Sequence, residues 1–229
     1  MRWLYWLVLG LTVLGSGVQG ARAESAPSAA IYAVTYFDII PADLAKAVAV
    51  LRPFVQARRK EDGNVEFTLL EEIGRSGRMA TIEAWRDEAA LEAHRAAVDT
   101  LADKLQPFFA APFDSRQFVP LLIGPGADHA NLGSAVYVLT HIDVFPAGKD
   151  EATRLVKGFV EASRKNKGAE RFDALVWKAH PNHFELIEAW TDARARQAHA
   201  DADQTKTFRT KLVPLEGGLY DQRLYRMVR

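Results

Sequence analysis

The sequence predicts an α+β fold made of two tandem β-α-β-β-α-β units packed sheet against sheet as an internal, pseudo-symmetric pair. Three observations carry this. A shift of 105 residues superimposes one half of the chain on the other. Each half alternates β-branched or aromatic runs with helical periodicity in the order of that unit. Between the halves lies a stretch, 120–134, rich in Gly and Pro (Gly124-Pro125-Gly126, Gly133-Ser134), the composition of a connection.

The repeat is specific. Ile-Tyr-Ala-Val-Thr-Tyr-Phe-Asp from Ile31 lands on Val-Tyr-Val-Leu-Thr-His-Ile-Asp from Val136. The same offset pairs Pro41 with Pro146, Gly63 with Gly168, Phe67 with Phe172, Ile82-Glu83-Ala84-Trp85 with Ile187-Glu188-Ala189-Trp190, and His94 with His199. Only after the histidine does the second copy gain two residues.

Each element follows in order. The first strand is expected near 31–38. Pro41 and Pro146 sit where a first helix would start, their fixed φ suiting a first turn. Leu44, Val48, Leu51 and Val55 then recur at helical spacing, and Gly63 and Gly168 suit a left-handed closure behind that helix. Pro53, paired with Gly158, falls inside it, which predicts a helix in two pieces. Strands near 65–72 and 79–86 form a hairpin over Gly74–Gly77. Asp87 and Asp192 are natural N-caps for the second helix. The last strands are expected over 113–119 and 219–227. One sheet face of such a unit stays uncovered by helices, and pairing the two copies buries it. The resulting units are 31–119 and 135–229, after a short extension, 24–30.

The N-terminus reads as an export signal. Arg2 precedes an apolar run from Trp3 to Leu14, then small residues and Ala21-Arg22-Ala23, an A-x-A site before Glu24. That run is shorter than the roughly 18 residues needed to span a bilayer. The expectation is a cleaved 1–23, a periplasmic or secreted protein, and no membrane association afterwards. With 29 basic and 29 acidic residues the chain has no basic excess for nucleic acid. With no cysteine it has neither disulfides nor thiol chemistry.

Candidate chemistry gathers around the second helix. Leu91, His94, Val98, Leu101 and Leu105 form one stripe, placing His94 on the buried face. Trp85 closes the preceding strand on the same face as Thr81 and Glu83. Together they border an apolar cavity with a few polar groups, the usual form of a small-molecule site. Thr35, Tyr36, Glu83, Leu91, Val98 and Phe108 are assigned to substrate contact, and His94 with Trp85 to catalysis. Trp190 and His199 are the weaker pair, because the helix around His199 is polar; Asp203, one turn on, is expected to hold that histidine. Glu83 and Glu188 lie mid-strand and need partners. His180 and His183 flank a hairpin turn and read as exposed, so no metal is assigned. No phosphate-cradling or dinucleotide motif occurs.

Tyr32 to Pro41, Gly63, Phe67, Glu83-Ala84-Trp85-Arg86-Asp87 and Leu91-Glu92-Ala93-His94 resemble the antibiotic biosynthesis monooxygenase family of the dimeric α+β barrel superfamily, which is similar to quinol monooxygenases. The resemblance covers nearly all of Ile31–Val119 and, more loosely, Ala135–Met227. It implies ferredoxin-like units and a monooxygenase, an oxidoreductase, that uses O₂ on a small phenolic or quinol-type aromatic substrate. No metal, flavin or nicotinamide cofactor is implied. On that model His94 accepts or orients a phenolic proton beside Trp85. A non-catalytic module for a small aromatic ligand is the alternative. A haem-degrading branch also uses such a Trp and His, with an Asn on the first strand; here Thr35 and Thr140 stand nearest. The internal pair lets the chain stand as a monomer.

Overall fold

The computed structural model describes residues 30–124 and 135–228. Residues 1–23, expected to be an export signal, and most of the connecting stretch lie outside these residues. The first repeat runs β1 (Ile31–Asp38), α1 (Leu44–Arg58), β2 (Asn64–Glu72), β3 (Arg78–Trp85), α2 (Glu88–Leu105) and β4 (Asp114–Leu122). The second runs β5 (Val136–Asp143), α3 (Lys149–Ser163), β6 (Ala169–Trp177), β7 (His183–Trp190), α4 (Ala193–Asp201), α5 (Asp203–Leu212) and β8 (Asp221–Met227).

Each repeat forms the expected four-stranded antiparallel sheet, β4-β1-β3-β2 and β8-β5-β7-β6. The sheets also join edge to edge. β4 continues past Val119 and pairs with β6 from Phe118 against Trp177 to Leu122 against Ala174. β8 pairs with β2 at Leu70–Glu72. The result is a closed eight-stranded barrel, the dimeric α+β barrel in one chain. Closure removes the unpaired edges that two open sheets would leave.

Strand alternation sorts the side chains into three cores. Inside the barrel, Tyr32, Val34, Leu70, Ile82 and Phe118 meet Tyr137, Leu139, Leu175, Ile187 and Tyr225. Outside, Leu51, Val55, Phe67, Trp85 and Leu105 pack between the first sheet and its helices. Val156, Phe159, Phe172, Trp190, Phe208 and Leu212 do the same in the second.

A buried ion pair crosses between the repeats. Arg171 Nη1 donates to Glu66 Oε1 and Oε2 at 2.9 and 3.0 Å, and its Nε donates to Asp173 Oδ2 at 2.7 Å. Glu66 and Arg171 are one offset apart, so equivalent positions face each other across the pseudo-dyad. Opposite charges now stand where an identical pair would repel.

The caps and glycine closures follow the sequence, whereas the expected break at Pro53 does not occur. Asp87 and Asp192 accept hydrogen bonds from the Ala90 and Ala195 amides, capping α2 and α4. Gly63 and Gly168 have φ of +80° and +84°, as the closure behind α1 and α3 requires. Pro53 does not split its helix: α1 is continuous from Leu44 to Arg58. Pro53 and Ala49, whose carbonyl loses its donor, both lie on the exposed side. Water there can satisfy the freed group, so the helix survives.

Candidate active site

The site begins with the short link between β3 and α2. Because Asp87 caps the helix two residues after Trp85, His94 is carried two turns along, directly over the indole. The Trp85 and His94 rings lie 4.6 Å apart and 33° from parallel. Phe54 and Phe67 flank the imidazole at 5.8 Å each. His94 is 2 % exposed.

Glu83 stands two residues before Trp85 on the same face. Trp85 Nε1 donates to Glu83 Oε2 at 3.1 Å, and His94 Nε2 lies 3.5 Å from the same oxygen. On its other side His94 Nδ1 meets Glu61 Oε2 at 2.9 Å. Glu61 is partly exposed and contacts Arg58. His94 thus stands between Glu83, 3.5 Å from its Nε2 without a hydrogen bond, and Glu61 at the surface. Burial pushes the Glu83 carboxyl up to about 7, against the lowering effect of the Trp85 and Thr81 hydrogen bonds. Burial also lowers His94, opposed by the Glu61 carboxylate. Near neutral pH Glu83 is thus divided between acid and base, beside a neutral imidazole.

A cavity of about 70 Å³ opens in front of Glu83. Thr35 and Phe37 of β1, Thr81 and Glu83 of β3, Leu51 and Phe54 of α1, and Val98 and Leu101 of α2 form most of its wall. Phe109, Phe113 and Ser115 complete the rim, with Ser115 Oγ hydrogen-bonded to Thr35 Oγ1 at 2.8 Å.

Of the expected contacts, Thr35, Glu83 and Val98 therefore line the cavity. His94 and Trp85 do not; both contact Glu83, which does. Leu91 and Phe108 pack against the helix-side core. Tyr36 cannot share a wall with Thr35, because neighbours on a strand face opposite ways. It points into the barrel and donates to Glu185 Oε1 at 2.7 Å. Glu61 escaped the sequence reading. Its signal was the 105-residue offset, which pairs it with Asn166, the residue that plays the same part in the second repeat.

In the second repeat the inner pair recurs. Trp190 and His199 lie 4.6 Å apart, Trp190 Nε1 donates to Glu188 Oε2 at 2.8 Å, and His199 Nδ1 bonds Asn166 Oδ1 at 2.8 Å. Asp203 does not hold His199. The two added residues break the helix at Ala202, whose backbone is extended (φ −65°, ψ 143°), and Asp203 starts a new helix facing solvent. Burial raises Glu188 to about 7 and lowers His199 to about 4. In front of this pair Phe208 lies flat on Phe159 with centroids 4.0 Å apart. Gln222 and Tyr220 occupy the positions of Ser115 and Phe113, and Gln222 donates to Thr140 Oγ1 at 3.1 Å.

Comparison with known proteins agrees with this architecture. The family model described as antibiotic biosynthesis monooxygenase matches residues 30–102 and again 135–211. A Bacillus subtilis (strain 168) protein named "Putative monooxygenase YcnE" is 28 % identical over 81 residues, which is 34 % of this chain and 85 % of that protein. Among solved structures, a Fusobacterium nucleatum protein named "Putative monooxygenase" superimposes with a TM-score of 0.78 at 16 % identity, covering 88 % of this chain and 94 % of its own. An anthrone oxidase-like protein gives 0.70 at 15 %, with 90 % and 94 % covered. At such identities these structures show a shared fold. The two matches of the family model, one on each half of the barrel, place the chain in the antibiotic biosynthesis monooxygenase family, as a member with two family domains in tandem.

Proposed function

We propose that the first repeat is a monooxygenase site for a small phenolic or quinol-type ring, and that Glu83 is its proton acceptor. One observation carries this reading: Glu83, a carboxyl that burial raises, stands on the wall of an apolar cavity 3.5 Å from His94, whose other nitrogen meets Glu61 at the surface. A general base works best when its pKa lies near the working pH. Glu83 takes the substrate's hydroxyl proton, and His94 passes it between its nitrogens towards Glu61 and solvent. The electron-rich anion left behind supplies the electrons that reduce O₂. One oxygen atom enters the ring system and the other leaves as water. Apolar walls keep bulk water from the anion, while Thr35 and Ser115 provide the hydroxyls that orient it.

The cavity volume limits the substrate. About 70 Å³ is several times what a single water needs, enough for the leading edge of one planar ring. A polycyclic substrate would present one ring and leave the rest at the mouth. Haem is disfavoured, because His94 Nε2 faces Glu83. A module that binds such a ring without turning it over would use the same walls.

Oxygen consumption by the purified chain across a panel of quinols, phenols and anthrones tests the proposal. Glu83→Gln is expected to lower the rate by about 10²- to 10⁴-fold, the range for loss of a positioned base. His94→Ala should slow it too. Binding seen as tryptophan quenching without oxygen uptake would leave the non-catalytic module standing instead.

A further inference from the structure

We propose that the second repeat holds a divalent transition-metal ion between His141, Asp143 and His183, at the rim of the barrel. β5 alternation puts His141 and Asp143 on the inner face, in line with Tyr137 and Leu139 of the interior core. The β5–β7 register sets Asp143 directly opposite His183 and His141 opposite Glu185. His141 Nε2 and His183 Nδ1 each lie 2.7 Å from Asp143 Oδ1. One ligand atom from each of the three residues falls within 4.8 Å of the others.

Three features point to a cation. First, Asp143 Oδ1 and His183 Nδ1 are buried without a well-formed hydrogen bond, which polar atoms in such a position rarely lack. Second, His141 Nδ1 faces Glu185 Oε2 at 3.1 Å; Glu185 is fully buried and is itself held by the Tyr36 hydroxyl. A carboxylate on the far nitrogen fixes the tautomer of a metal-binding histidine and leaves its other lone pair free for the ion. Third, Trp177 walls the site, with its ring 5.9 Å from His141 and 5.4 Å from His183.

Two imidazoles and one carboxylate suit zinc and its first-row neighbours, whereas Mg²⁺ and Ca²⁺ favour oxygen alone. Further positions stay open to water or to His180, whose ring stacks on His183 at 5.1 Å. The first repeat cannot build the same site. At the equivalent positions it has Tyr36, Asp38, Arg78 and Ala80, and Arg78 lies 4.0 Å from Asp38 as an ion pair.

The test is titration of the chelator-stripped chain with ZnCl₂ by calorimetry and with CoCl₂ by absorption. One ion per chain is expected, with Co²⁺ giving ligand-field bands. His183→Ala, at the rim, and His141→Ala should each abolish the bands. Glu185→Gln, which only supports His141, should weaken binding by about 10- to 100-fold. His94→Ala should leave the titration unchanged, and circular dichroism checks that each variant is folded. No uptake by the unaltered chain, or uptake undiminished in folded His141→Ala and His183→Ala, would overturn the assignment.

Discussion

The two repeats share an inner pair and differ in what stands in front of it. Trp85 with His94 and Trp190 with His199 have the same 4.6 Å spacing, and each Trp bonds a glutamate two residues back. In front of the first pair Thr81, Leu101, Phe113 and Ser115 leave a cavity. Leu186, Phe208, Tyr220 and Gln222 take their places in the second repeat. Behind the first pair Glu61 can carry a proton; behind the second Asn166 cannot. On the proposed reading the Trp–His motif belongs to the fold, whereas the space and the proton path belong to the site.

The largest effect is expected at the seam where the repeats have diverged in charge. Arg171→Ala removes the buried guanidinium that bridges Glu66 and Asp173, so it should cost about 3–5 kcal/mol in chemical denaturation. Reversing both charges, Glu66→Arg with Arg171→Glu, should recover part of that loss, because the positions are related by the pseudo-dyad. If the double reversal is no better than Arg171→Ala, the pseudo-symmetric reading of the seam fails.

Next come the buried carboxylates, which the repeats share. Glu83 and Glu188 have folded values of about 7, above the ordinary 4.5. A raised carboxyl contributes stability at pH below 4.5 and loses it as pH rises to 7, on the order of 3 kcal/mol for each. Denaturation from pH 4 to pH 8 should show that decline, and either Glu→Gln substitution should halve it. His199 acts in the opposite direction. Lowered from 6.5 to about 4, it weakens the fold as pH falls through that window. His199→Gln should flatten the acid limb, and His94→Gln should do so less, since Glu61 opposes the depression.

The smallest effect separates two glycines of one turn. A Cβ on Gly63 or Gly168 would stand 2.6 Å from the Cβ of Ala90 or Ala195. At Gly168 it would also meet Thr191 Oγ1 at 2.7 Å, whereas the next neighbour of Gly63 is Arg86, 3.6 Å away. Both Gly→Ala changes should destabilise by at least about 1 kcal/mol from the positive φ, and Gly168→Ala by more. Equal thermal shifts would mean the second contact relaxes freely.

Much of this was legible in the sequence because it is periodic or local. The 105-residue offset revealed the repeat, Asp87 and Asp192 revealed the helix starts, and the stripe through Leu91 and Leu105 put His94 on the buried face. Other features depend on partners distant in sequence. That Glu83 lines the cavity and His94 does not follows from how α2 lies on the sheet. The opposite orientations of Thr35 and Tyr36 could have been read from strand alternation. The two extra residues after His199 were visible, but the break they cause at Ala202, which sends Asp203 outward, was not. Closure of the barrel through β4 with β6 and β2 with β8 left only edge pairing as a trace, and His183 meets Asp143 only through the β5–β7 register.

The most direct test fills the first site with the residue that closes the second. Leu101→Phe places at the cavity wall the side chain that Phe208 supplies in the other repeat. If the first repeat is the working site, Leu101→Phe should abolish quinol-dependent oxygen uptake while melting near the unaltered chain, and Glu188→Gln should leave the rate unchanged. Uptake that survives Leu101→Phe but falls with Glu188→Gln would contradict the account and move the chemistry to the second repeat.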